Sequence, residues 1–246
     1  VTLVKNIKSD DPALRGLAAF RIGKYKTPDA ISLIRPVLKD KDESVQQRAA
    51  TGLALLGEPA KPLLKLIRKA VEDEESEIRV ASIELLGNAS DKKSVELISK
   101  ALQDEVVLVR RSAISSLGKL GDASSVPAIS EAVDDDDIET AKAAAYALAD
   151  LKAPQGVKAL KELAEKEDHP ARVWIAVAMH RAGQKDTAAR FEKLLKDEDE
   201  KVRQQAVSSL EQLADLDATN LLILALDDDS QAVCKAASTL LATTDS

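Results

Sequence analysis

The side chains that could do chemistry in this chain are few and scattered. Histidine occurs twice, as His169 and His180, and cysteine once, as Cys234. A zinc site needs three or four such ligands at short, fixed spacings, and neither histidine has a cysteine or histidine partner at that spacing. No serine-nucleophile, phosphate-loop, dinucleotide or zinc-protease motif is present. The acidic runs Asp134–Asp137 and Asp227–Asp229 lack the spaced oxygens and glycine of a calcium loop, so helix capping and solubility account for them better. His169 precedes Pro170 in a turn, where solvent exposure is expected. His180 falls at a helix end, near its last carbonyls. Cys234 sits beside a packed face and is expected to be unreactive. Catalysis, metal and cofactor are therefore not expected, and attention moves to the aromatic and apolar side chains.

Those side chains are positioned by a repeat. Leu14, Val45, Ile78, Val109, Thr140, Ala171, Val202 and Val233 head similar stretches spaced by 31 residues, except for one spacing of 33. The clearest copy is Val109–Gly121, VRRSAISSLGKLG. Eight positions after each head stands a large apolar residue: Ile22, Leu53, Leu86, Leu117, Leu148, Met179, Leu210 or Leu241. Four positions after it the residue is nearly always small, from Ala18 to Ala237. Offsets of 0, 4, 8 and 11 lie on one helical face, so each stretch is a helix with one packed stripe, and the small column lets neighbours approach closely. Acids three positions before the head (Asp11, Asp42, Glu75, Asp137, Asp168 and Asp199) suit the helix start. A second helix follows, marked by pairs such as Ile98/Leu102 and Ile129/Val133, with Pro28, Pro59 and Pro154 where several of these begin. The two extra residues fall in the turn 57–62.

Composition agrees with closely packed helices. Hydrophobic residues make up 45% but aromatics only 2%, which suits an aliphatic helical core better than a β-sandwich. A net charge of −7 gives no general attraction for nucleic acid. No apolar run reaches membrane-span length, and the first ten residues lack a signal-peptide pattern. The compartment stays open, with a soluble, cytoplasmic protein favoured. The chain starts with Val rather than Met, and Leu3 and Ile7 match the tail of a second helix. Further repeats or a domain before Val1 are therefore expected.

The run D-x-x-x-x-V-R-x-x-A-x-x-x-L-G-x-L-G-D-x-x-x-V-P-x-I, as Asp104–Ile129, resembles HEAT repeats of the short, phycobilisome-lyase-like kind. The resemblance implies an all-α, right-handed solenoid of stacked antiparallel helix pairs. Residues 1–246 then form a single HEAT-like superhelix of about seven full repeats, with half-repeats at both ends. It also implies that the arginine after each head (Arg15, Arg79, Arg110, Arg172 and Arg203) bridges acids in adjacent turns. Gln46, Ala141 and Cys234 depart, so that series is expected to break in the second, fifth and eighth repeats. The Val-Arg helices would line a concave side, the usual place for partners in such stacks.

On that face the second and seventh repeats read as solvated, and the middle ones do not. The fourth offers Leu108 and Arg111, the fifth Ile138 and Tyr146, and the sixth Val173, Trp174, Val177 and Arg181. The sixth helix is apolar on both sides and must be covered on both. Trp, Tyr and Arg are enriched at binding hot spots, so these eight residues form the candidate partner-binding patch. The competing expectation is that a neighbouring helix covers them. Leu17 and Phe20 form a secondary patch, read as contact with a preceding repeat or domain. The function expected is a non-catalytic protein-interaction scaffold. The alternative is a repeat appendage of a larger enzyme, with a phycobilin-lyase-type subunit or a nucleic-acid binder behind both.

Overall fold

In the computed structural model, described for residues 2–27, 29–57, 61–151, 153–213 and 218–244, sixteen α-helices appear and no strand occurs among the described residues. Pro28, Pro59 and most of the turn holding the two-residue insertion lie outside the described residues. The chain divides into two compact units, residues 1–129 and 130–246.

Within each unit helix pairs stack as an α-solenoid. The first helices of the pairs are Pro12–Lys24, Glu43–Leu55, Ser76–Asn88 and Val107–Leu120 in the first unit. In the second they are Ile138–Asp150, Arg172–Arg181, Glu200–Leu210 and Gln231–Thr244. The stripe read from the sequence forms the core: Val45, Ile78, Val109, Thr140, Ala171, Val202 and Val233 are all buried, as are the small residues four positions on. Leu14 departs, standing 41% exposed. Close approach has a steric basis where Pro12–Lys24 crosses Glu43–Leu55. A Cβ at Gly23 would lie 2.1 Å from the Gly52 carbonyl oxygen, so only bare backbone fits there. Asp11, Asp42, Asp137 and Asp199 cap their helices through amide N–H groups. Glu75 makes no such bond, and Asp168 lies outside its helix, which starts at Arg172.

Consecutive turns are tied by the aspartate that opens the repeat motif, Asp104 in its clearest copy, as the resemblance implied. Asp40, Asp73, Asp104, Asp135, Asp197 and Asp228 stand five positions before a repeat head. Each carboxylate accepts the N–H two residues on, at 2.8–3.0 Å, which shapes the turn. Arg15, Arg79, Arg172 and Arg203 reach forward to Asp40, Asp104, Asp197 and Asp228 in two-pronged bonds of 2.7–3.0 Å. The third nitrogen of each guanidinium turns back to carbonyls of its own turn, as Arg79 does to Asp73 and Glu74. One side chain thus joins two successive turns.

The second repeat is not a break. Gln46 donates to the Asp40 carbonyl at 2.6 Å, the backward half of the arginine's role. Arg48, two residues on, supplies the forward half to Asp73 at 2.8 Å, in a buried pair. Its stem passes Gly16, where a Cβ would meet Arg48 Cδ at 2.8 Å. In the eighth repeat Cys234 Sγ reaches the Asp228 carbonyl, at 3.0 Å. Only the fifth repeat loses both partners, with Ala141 in place of arginine and Lys166 in place of aspartate.

The arginine hydrogen bonds hold Asp40, Asp197 and Asp228 below the usual carboxylate range against partial burial. A carboxylate lowered on folding stabilises above its unfolded value of about 3.8, and that stability drains as pH falls further. Removing one partner of a buried pair strands the other, so Arg48→Ala is expected to destabilise the first unit by roughly 3–5 kcal/mol. Gln46→Ala, which loses a single hydrogen bond, is expected to cost about 1 kcal/mol in the same urea titration.

Candidate functional site

The sixth first-helix, Arg172–Arg181, carries the centre of the expected patch. It is three residues shorter than Ile138–Asp150 before it, and its residues 173 and 175–179 are all buried. Val173 and Val177 are each 1% exposed and lie in the core with Phe191, Val202, Ala206, Val207 and Leu210. They are not surface residues. The seventh repeat covers that flank, which satisfies the helix's second apolar side. Phe20 is likewise buried, in a cluster with Ala70, Ile78 and Ala81, while Leu17 packs half-buried against it. The secondary patch is therefore largely core.

Tyr146 and Trp174 lie between core and surface. Both pack against the second unit's core while keeping partial exposure. Each ring carries a cation: Lys142 Nζ sits 4.3 Å from the Trp174 ring centre, and the Arg181 guanidinium 4.5 Å from that of Tyr146. Arg181 also holds both carboxylate oxygens of Asp150 at 2.9 Å. Burial pushes the Tyr146 hydroxyl up, partly offset by Arg181. That hydroxyl stands 3.5 Å from Gln212 Oε1, so the fifth repeat reaches past the sixth to the seventh. In the first unit Lys24 pairs with Glu77 across the second repeat in the same way. Repeats two apart therefore come within side-chain reach inside each unit. The Trp174 indole N–H is buried with no acceptor among the described residues.

Ile138, 38% exposed, opens the fifth first-helix. Leu108 and Arg111 belong to the first unit, where Leu108 is 59% exposed beside the exposed Val107, and Arg111 is half-buried. The sequence reading missed an outer apolar strip of Ile223, Leu224 and Leu226, all exposed, although Leu226 belongs to the column expected to pack. Alternation within LLILAL held no clue to which side would be covered.

His169 contradicts its expected exposure. Its ring is buried, Nδ1 accepts the Ala171 N–H at 3.0 Å, and Nε2 lies 2.8 Å from Asp134 Oδ1. The turn ahead of the late-starting sixth helix is held by the ring, which bonds the N–H of Ala171, the residue just before that helix, and lies against Asp134. His180 is half-buried in the last helical turn. Among the described residues no group of His, Cys, Asp and Glu could hold a metal ion, and no helix is long and apolar enough to cross a membrane.

Stacked helix pairs joined turn to turn by arginine and aspartate define an α-solenoid repeat protein, a class that serves as a scaffold. The chain belongs to the HEAT-repeat family, whose profile matches residues 1–72, 60–149, 107–180 and 157–242. No curated protein matches it. Among solved structures, YibA of Escherichia coli is similar at a TM-score of 0.55 and 17% identity, over 98% of this chain and 91% of that one. An engineered protein is similar at 0.50 and 18%, over 96% and 76%. The CpcE–CpcF complex of phycocyanin lyase from Nostoc sp. PCC7120 aligns at 0.45 and 18%, over 98% and 92%. At these identities the likeness is one of fold.

Val177→Ala removes two buried methyl groups and is expected to destabilise the second unit by about 2 kcal/mol. Ile138→Ala, at a position already 38% exposed, is expected to cost about half as much, roughly 1 kcal/mol. Urea unfolding followed by the fluorescence of Trp174 measures both.

Proposed function

We propose that the chain is a non-catalytic protein-interaction scaffold. Its partner surface in the second unit is formed by Ile138, Tyr146, Trp174 and Arg181; in the first unit Leu108 and Arg111 are a separate candidate contact. The observation that carries this reading is the state of Trp174: a large ring left partly uncovered, flanked by Lys142, with its buried indole N–H lacking an acceptor among the described residues. A buried donor without a partner is unfavourable by about 1–3 kcal/mol, and burying the ring's remaining exposed surface against a partner would offset that cost. Ile138 and Leu108, 38% and 59% exposed, supply apolar area to the surface. Val173 and Val177 act as supports, holding the helix that presents Trp174. The acidic balance of the chain and the Glu139 and Glu200 carboxylates on first helices weigh against a nucleic-acid ligand.

A photo-crosslinking side chain placed at Ile138 or Leu108 tests the reading in cells that make the full protein. Discrete crosslinked adducts are expected from both positions and none from the solvated position Lys201. Equal labelling at all three, or none at Ile138 and Leu108, would contradict it.

A further inference from the structure

The junction between the fifth and sixth repeats replaces the usual clamp with a different device. Both clamp partners are missing there, as Ala141 and Lys166. In their place the turn ahead of the sixth helix reaches back to the preceding turn. His169 Nε2 lies 2.8 Å and Lys166 Nζ 3.5 Å from the two oxygens of Asp134. The polarity is reversed: here the acid is behind, and the lysine and the imidazole are ahead.

The hydrogen bonding of His169 fixes its state. Nδ1 accepts the Ala171 N–H, so in this arrangement the ring is neutral and its proton resides on Nε2. That Nε2 proton meets Asp134 at a close distance but off the line of a hydrogen bond. The amide held by Nδ1 belongs to Ala171, the N-cap residue immediately before helix Arg172–Arg181. An imidazolium carries hydrogens on both nitrogens, and its Nδ1–H would then oppose the Ala171 N–H donor to donor. Charged groups facing the ring come from each neighbouring element. Asp134 stands at the end of the 3-10 turn Ala132–Asp134, Lys166 in the turn after Pro154–Ala164, and Arg172 at the helix start. Asp134 favours a proton on the ring, whereas Lys166, Arg172 and above all burial oppose it.

We propose that His169 is a pH-sensitive latch on the sixth repeat: neutral, it closes the start of helix Arg172–Arg181, and protonation releases the Ala171 amide and loosens the first turn, which carries Val173 and Trp174. The proton comes from solvent and no bond between heavy atoms changes. The sign follows from linkage. Burial lowers the ring below its ordinary value of 6.5, so the unfolded chain binds the proton more readily. Stability is full above that value and falls on acidification, with the unfolding constant of the second unit rising by up to about tenfold per pH unit.

The chain suits a direct test, because it holds two histidines and a single tryptophan. Ring titration by NMR is run on the full protein, with His180→Asn to assign the signals. His169 is expected to titrate below pH 6.5, in step with a shift of the Ala171 amide and a change in Trp174 fluorescence. His169→Asn keeps an acceptor for the Ala171 N–H and does not titrate, so its fluorescence and stability are expected to stay flat between pH 7 and 5. The proposal is overturned if His169→Asn shows the wild-type response. It is equally overturned if His169 titrates in the folded wild type with no movement of the Ala171 amide, a result readable even if the variant fails to fold.

Discussion

The interaction on which the rest of this structure depends is the two-way arginine between successive turns. One guanidinium grips the aspartate of the next turn and, with its remaining nitrogen, the carbonyls of its own. The aspartate in turn shapes its loop by accepting an N–H two residues on. Each clamp therefore fixes where a first helix starts and how far the next lies from it. Partly buried pairs of this kind return only part of the solvation they lose, so their main contribution is register. Net stability comes from the aliphatic stripe, where alanine and serine at the small column let helices close on one another.

That division of labour explains where the repeat can vary. The second repeat splits the arginine's two tasks between Gln46 and Arg48, and Gly16 clears space for the displaced stem. The fifth gives up the clamp altogether. There the junction rests on His169, Lys166 and Asp134, and the sixth helix compensates with an unusually complete apolar surface. Val173 and Val177 face the seventh repeat, leaving Trp174 and Tyr146 at the margin of the core. The departure from the clamp and the candidate binding surface thus fall on the same helix.

Most of the fold was legible because the columns are dictated by helical geometry alone. A residue four or eight positions from Val109 must lie on its face, and every such residue is buried in the fourth repeat. What lies between helices was not legible. Offsets two and six from Ala171 point away from the stripe, but whether solvent or a neighbouring helix meets them depends on the spacing of repeats, which no single helix encodes. Phe20 misled for the same reason. Arg48 was missed because the arginine was sought in one column, although a long side chain can reach Asp73 from another. His169 read as solvated because a histidine before proline marks a turn, and turns are usually outside. Of the eight residues expected in the patch, Tyr146, Trp174 and Arg181 lie at the margin of the core, Lys142 over the Trp174 ring was not anticipated, and Val173 and Val177 are core residues.

The most direct test of the clamp's role is a double-mutant cycle on Arg79 and Asp104, which are 2.7 Å apart and largely shielded from solvent, alongside the same cycle on the exposed pair Arg181 and Asp150. A coupling energy above about 1 kcal/mol is predicted for the clamp, beyond the 0.2–1 kcal/mol typical of exposed pairs, with the surface pair at or below about 0.5 kcal/mol. Equal, small couplings for both would contradict the account, reducing the clamp to an ordinary surface ion pair.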